Sequence, residues 1–127
     1  MQPRLLVVDD ESEMGRLFKR IFGTRFDVAA ATSAGLALDI IERRDFDVIL
    51  CDLRMPQVSG VEFYRRLGEV KPSLQERVVF FTGGFNAGAE QAFVDGLDNP
   101  LVFKPFDMDE LEAKFDAVMN EAQRDVG

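Results

Sequence analysis

Val48-Ile49-Leu50-Cys51-Asp52 decides the fold of this chain. Four apolar residues run without interruption into one aspartate, and Met55, Pro56 and Gly60 follow. An unbroken apolar run of this length reads as a strand buried on both faces, since a half-exposed strand would alternate apolar with polar residues. In open α/β sheets, ligands bind just outside the carboxyl ends of the strands. Asp52 stands at such an end.

The flanking sequence repeats the pattern. Arg4 to Val8 is a short apolar strand that runs into Asp9-Asp10-Glu11. Ser12 is a suitable helix N-cap. Met14, Leu17, Phe18, Ile21 and Phe22 then recur at helical spacing up to Gly23. Phe26 to Ala31 reads as a second strand. Ser33 caps a second helix with Leu36, Ala37, Ile40 and Ile41 inward.

After the strand at Asp47 to Cys51, Gln57 to Val70 holds a third helix facing inward with Val61, Tyr64 and Leu67, and Pro72 stops it. Arg77 to Thr82 is a fourth buried strand. Asn86 to Asp95 is a helix with little bulk beyond Phe93 and Val94. Leu101 to Phe103 is a short fifth strand that ends in Lys104-Pro105. Asp107 with Glu110 resembles a capping box, and Met108, Leu111, Phe115, Val118 and Met119 form the face of a last helix. Strand and helix alternate five times with short connections, which predicts a parallel sheet with helices on both faces. No repeat, low-complexity segment or interior linker interrupts it, so residues 1–127 are expected to form one domain.

The polar residues at the strand ends share one edge of such a sheet. Asp9 and Asp10 follow the first strand, Asp52 the third, Thr82 the fourth and Lys104 the fifth. Each alone has a bland reading: a helix-start acid pair, a turn threonine, a solvated lysine. Together, in this order, they assemble three carboxylates, a hydroxyl and an ammonium. Two like charges ~4 Å apart repel by roughly 4 kcal/mol at an effective dielectric of 20. Three carboxylates therefore call for a cation. With no histidine in the chain and no sulfur at these ends, the ligands are oxygens. Mg²⁺ suits them best, with Mn²⁺ as an acceptable substitute.

Asp52 can attack phosphorus and form an acyl phosphate. Such transfer consists mostly of positioning and charge neutralisation. A cation on Asp10 and Asp52, Lys104 on a second phosphoryl oxygen, and Thr82 with the Gly83 N–H on a third would supply both.

The bulk composition narrows the partners. The 127 residues are 46% hydrophobic and 30% charged, with net charge −8. Basic residues gather only in pairs such as Arg43-Arg44 and Arg65-Arg66, which argues against direct binding of nucleic acid or an anionic membrane. No apolar run approaches the roughly 20 residues that span a bilayer. No basic-then-apolar signal segment opens the sequence. The single cysteine, Cys51, lies within an apolar strand and reads as a buried thiol. The expectation is a cytoplasmic protein. Without a histidine, any phosphohistidine donor belongs to another domain or another protein.

These residues resemble the receiver domains of two-component signalling over nearly the whole chain. Leu-Val-Val-Asp9-Asp10-Glu11 resembles the acidic pocket, and Asp52-Leu-Arg-Met55-Pro56 with Gly60 the phosphoacceptor loop. Phe80-Phe81-Thr82-Gly83 resembles the switch-threonine strand, and Lys104-Pro105-Phe106 the lysine loop, which in the family carries a cis peptide. The resemblance implies a flavodoxin-like sheet of five strands in the order 2-1-3-4-5 with five helices. It implies Asp52 as phosphoacceptor and Asp10, Asp52 and the Arg54 carbonyl as Mg²⁺ ligands, with Asp9 acting mostly through water. Thr82 and Lys104 would read the phosphoryl group. The implied partner is a histidine kinase or a histidine phosphotransfer domain.

Two features depart from the pattern. Leu101 occupies the position three before the lysine where the family usually has Tyr or Phe. Leu97-Asp98-Asn99-Pro100 replaces a small-residue turn. The Thr-Gly-Gly and Asn-Pro-Leu-Val-Phe-Lys-Pro-Phe wording is similar to receivers at the C-terminus of hybrid sensor histidine kinases.

Rival readings meet specific obstacles. An Asp-nucleophile phosphatase needs a second acid two residues on, and that position is Arg54. A flavin carrier needs a phosphate-binding loop after the first strand, where Asp9-Asp10-Glu11 would repel phosphate. A phosphorylation-independent protein-binding module on the same fold has no use for the complete acid set. The chain therefore reads as a switch more than a turnover enzyme.

Overall fold

The computed structural model describes residues 2–55, 57–83 and 88–126, the side chains of 88–91 and 121–126 excepted. Five parallel strands form one sheet in the order β2-β1-β3-β4-β5. They are β1 (Arg4–Val8), β2 (Asp27–Ala31), β3 (Val48–Asp52), β4 (Val78–Thr82) and β5 (Leu101–Phe103). The helices are α1 (Ser12–Phe22), α2 (Ala34–Arg43), α3 (Gly60–Val70), α4 (Gly88–Asp95) and α5 (Met108–Val126). Fold class and strand order are those expected.

Every residue of β3 and of β4 is buried. Alternation of side chains divides the core into two layers. Leu6, Val8, Ile49, Cys51, Val78 and Phe80 face α2 and α3, where Ala37, Ile41, Phe63 and Leu67 meet them. Leu5, Val7, Val48, Leu50, Val79 and Phe81 face α1 and α5, where Phe18, Phe22, Leu111 and Phe115 meet them. Each strand thus has helices over both faces, which is why its sequence carries no polar alternation.

Several local expectations are corrected. Ser12 is the first residue of α1, and Glu11 occupies the cap position without a side-chain cap bond. The buried stripe of α1 is Gly15, Phe18 and Phe22, and Leu17 points outward. A β-carbon at position 15 would stand 2.6 Å from the Ala30 Cβ, so the absence of one lets α1 settle on that edge. Leu36 is likewise exposed, while Ala34, Ala37 and Ile41 face the sheet. α3 begins at Gly60, capped by the Ser59 hydroxyl accepting from Glu62 N–H at 3.2 Å, and its buried residues are Gly60, Phe63 and the expected Leu67, with Val61 and Tyr64 partly buried beside them.

A 3₁₀ turn, Pro72–Arg77, separates α3 from β4 and buries Leu74. The Asn99 amide donates to the carbonyls of Gln75 and Val78, both at 2.8 Å, and ties this turn to the loop before β5. Ser33 caps as expected, accepting from Leu36 N–H; the Asp107 carboxylate accepts from Asp109 N–H, one residue before the Glu110 N–H that a capping box would use. Pro56, Gly84 and the expected start of α4 at Asn86 lie outside the described residues.

Candidate functional site

The strand ends converge on one cleft lined by Asp10, Asp52, Arg54, Ser59, Gly83 and Lys104, among others. β1 ends at Val8, so Asp9 and Asp10 are the first residues past the sheet edge; Asp52 is the last residue of β3. Carboxylate oxygens of Asp9, Asp10 and Asp52 all lie within 4.8 Å of one another. Asp9 and Asp52 are buried, whereas Asp10 is exposed.

Two backbone amides fix the buried acids. Glu11 N–H donates to Asp9 Oδ1 at 2.9 Å, and Arg54 N–H donates to Asp52 Oδ1 at 3.0 Å. Each is an aspartate folding the chain two residues ahead onto its own carboxylate. The other oxygen of each acid faces Lys104, whose Nζ stands 3.6 Å from Asp52 Oδ2 and 4.0 Å from Asp9 Oδ2. These separations exceed a normal N–H···O hydrogen bond, so the attraction is electrostatic.

Charge is poorly balanced here. One ammonium stands beside two of the three clustered carboxylates. Burial pushes the Asp9 carboxyl up to about 6; the Glu11 amide opposes that rise and the Asp52 charge adds to it. Asp52 is also raised, first by burial, against the Arg54 amide and the Lys104 charge. Asp9 Oδ2 is buried and has no hydrogen-bond partner. An orphaned buried carboxylate oxygen beside two further carboxylates fits a cation, and an all-oxygen set fits a hard one such as Mg²⁺.

Thr82, the last residue of β4, is fully buried and sits opposite Phe103 of β5. The Thr82 carbonyl accepts from Lys104 N–H at 2.8 Å, which links the threonine strand to the lysine loop. Gly83 is exposed on the cleft rim, and a β-carbon there would meet nothing within 4 Å. The Lys104–Pro105 peptide is cis. The fold therefore brings Asp9, Asp10, Asp52 and Lys104 together, with Gly83 and Arg54 at the margin.

Two neighbours were not singled out from sequence. One is the Glu11 amide that holds Asp9. The other is the Phe81 ring, over which Lys104 Nζ lies 4.6 Å from the centroid. The Phe81 signal was present, an aromatic residue immediately before Thr82, but its meaning depends on β4 pairing with β5.

Known proteins agree with this fold. The sequence model of the response regulator receiver domain matches residues 5–116. The nisin biosynthesis regulatory protein NisR of Lactococcus lactis subsp. lactis is 28% identical over 125 residues, covering 95% of this chain and 52% of the relative. Response regulator Rre1 of Synechocystis sp. is 36% identical over 113 residues, covering 86% and 48%. The chain thus spans about half of these curated relatives, and 26% of the transcriptional regulatory protein ZraR of Escherichia coli O157:H7. A CheY-like receiver domain protein from Methanospirillum hungatei shares the fold at a TM-score of 0.85 and 24% identity, covering 98% of this chain and 99% of that one. This chain belongs to the response regulator receiver domain family.

Proposed function

We propose that this receiver accepts a phosphoryl group on Asp52 from a phosphohistidine of a partner histidine kinase or histidine phosphotransfer domain. The observation that carries this reading is the Asp52 carboxylate. It ends a fully buried strand, opens onto a cleft, and stands 3.6 Å from the Lys104 ammonium beside two further carboxylates.

In the transfer, a carboxylate oxygen of Asp52 attacks phosphorus. The P–N bond to the donor imidazole breaks, and the electron pair leaves with the imidazole nitrogen, which is then protonated. Arg54 N–H holds Oδ1 and so fixes the carboxylate plane. Lys104 supplies positive charge to a phosphoryl oxygen, while the Thr82 hydroxyl and the Gly83 N–H hydrogen-bond another. Asp9, Asp10, Asp52 and the Arg54 carbonyl would hold Mg²⁺, or Mn²⁺ in its place, Asp9 mostly through water. Bound there, the cation supplies charge neutralisation on the phosphoryl oxygens.

The reading extends to the whole chain as one receiver unit, working in the cytoplasm and switching its surface through Thr82 and Lys104. Among the described residues no helix is long and apolar enough to cross a membrane. The test is incubation with Mg²⁺ and acetyl phosphate, read by intact mass. A gain of one phosphoryl group in the wild type and none in Asp52→Asn is expected. Equal labelling of the two proteins would overturn Asp52 as acceptor, and an unlabelled wild type would favour a phosphorylation-independent binding module.

A further inference from the structure

The Lys104 ammonium has a third neighbour besides the carboxylates of Asp9 and Asp52. It lies over the face of the Phe81 ring, 4.6 Å from the centroid. An aromatic face carries negative charge density and attracts a cation within about 6 Å. Phe81 is fully buried, so solvent does not compete on the ring's own side.

The plane of that ring is fixed by its neighbours. Phe81 stands nearly perpendicular to Phe18, at 6.3 Å and 83°, and to Phe106, at 6.2 Å and 86°. Phe18 and Phe106 stack on each other at 5.7 Å and 18°. α1 and the segment after Lys104-Pro105 therefore hold the ring that the lysine covers.

We propose that Phe81 is a positioning residue that seats the Lys104 ammonium at the mouth of the cleft. The carboxylates hold Lys104 at 3.6 and 4.0 Å, beyond hydrogen-bond length. Their pull falls when a cation shares their charge. The pull of a ring face does not depend on those charges, so the ring keeps the ammonium in place as the carboxylates are neutralised. A lysine side chain is long and flexible, and a fixed seat removes freedom that phosphoryl transfer would otherwise have to restrict. An aliphatic residue at position 81 would fill the same space and supply no such attraction.

The effect on rate rests on Asp52 being the phosphoacceptor; the seat itself is a property of the folded chain and can be read separately. The experiment compares wild type, Phe81→Leu and a chain with pentafluorophenylalanine placed at position 81, which keeps the ring and reverses its charge distribution. Carbon–proton spectra give the Lys104 ε-methylene shifts, and acetyl phosphate labelling with Mg²⁺ gives the rate. In the wild type the methylene protons should be displaced upfield by the ring. In Phe81→Leu they should return to ordinary lysine values, with labelling about three- to tenfold slower. The fluorinated chain should lose rate by a similar factor while keeping its fold, which decides the matter if Phe81→Leu does not fold. Wild-type rate and unchanged Lys104 shifts in the fluorinated chain would overturn the seat. An unlabelled wild type would sink the Asp52 reading instead, and the lysine resonances alone would then decide the seat.

Discussion

Gly60 lies so close beneath Asp52 that a β-carbon at position 60 would stand 2.6 Å from the Asp52 carbonyl oxygen and 2.8 Å from the Leu53 Cα. Both contacts are backbone atoms, which cannot rotate aside. Gly60 N–H donates to the Leu53 carbonyl at 3.0 Å, so the start of α3 is docked directly on the end of β3. Gly60→Ala should therefore cost about 1–3 kcal/mol, the usual range for overpacking a tight site. It should also slow phosphoryl labelling, because the main chain carrying Asp52 must shift. Gly35 is the contrast: a β-carbon there meets nothing within 4 Å, and it lies in α2. Gly35→Ala should be neutral or stabilise by up to about 1 kcal/mol. Urea unfolding of both variants checks the pair, and equal effects would mean that the close approach at Gly60 is not a constraint.

A pH dependence follows from the acid cluster. The Asp9 carboxyl is pushed up to about 6 from an ordinary 3.8, first by burial. A carboxyl raised in the folded state binds its proton more tightly there than in the unfolded chain. Its contribution to stability therefore falls as pH rises from about 4 to about 6, and the cost of ionised Asp9 is complete above that window. Two units correspond to roughly 3 kcal/mol at most. Asp9→Asn should raise metal-free stability at pH 7 by about 1–3 kcal/mol and flatten the slope between pH 4 and 6. Urea midpoints across that range measure it; an unchanged slope would show that Asp9 is already relieved by another group.

The extent to which sequence alone exposed this architecture follows from where the information lies. Strands such as Val48–Asp52 are buried on both sides, so composition alone marks them and the charged residue at each end marks the sheet edge. Helix faces are harder to read. Leu17 and Phe18 are equally apolar, and the choice between them was made by Gly15, which allows α1 to approach Ala30. In α3 the expected stripe of Val61, Tyr64 and Leu67 shares Leu67 with the buried one of Gly60, Phe63 and Leu67; Val61 and Tyr64 lie one position round the helix, partly buried against the same core, and Gly60, lacking a side chain, gives no apolar mark of the buried face. The seating of Lys104 on Phe81 joins residues far apart in the chain, and only the pairing of β4 with β5 brings them together.

Metal binding should stabilise the fold. Asp9 Oδ2 has no hydrogen-bond partner and shares its surroundings with two other carboxylates. A cation that binds only the folded chain adds RT ln(1 + [L]/Kd), about 2.7 kcal/mol at a hundred times Kd. Millimolar Mg²⁺ should raise the thermal midpoint by several degrees, and Asp10→Asn should abolish both that rise and metal-dependent labelling. A wild-type midpoint indifferent to millimolar Mg²⁺ would remove the metal from the scheme.

The last prediction concerns how phosphorylation changes the surface. Leu101 of β5 pairs with Phe80 and is partly buried against the same core layer as Tyr64 and Phe93. Those rings form a closed set: Tyr64 meets Phe80 and Phe93 at 5.7 Å each, and Phe80 meets Phe93 at 6.4 Å. Leucine has no hydroxyl to exchange between interior and solvent, so inward movement of Thr82 offers Leu101 little reason to turn. The response should fall instead on the stretch from Gly83 to Gly88, of which 84–87 lie outside the described residues, with half-exposed Phe103 as a second site. Beryllofluoride on Asp52 mimics the phosphoryl group, and amide exchange with and without it locates the change. Protection should rise between Gly83 and Gly88 and stay constant at Leu101. Tyr64 is the only tyrosine in a chain without tryptophan, so its fluorescence reports the aromatic set directly and should hold steady. A silent Gly83–Gly88 stretch, together with altered Tyr64 emission and exchange centred on Leu101, would place the switch in the aromatic layer instead.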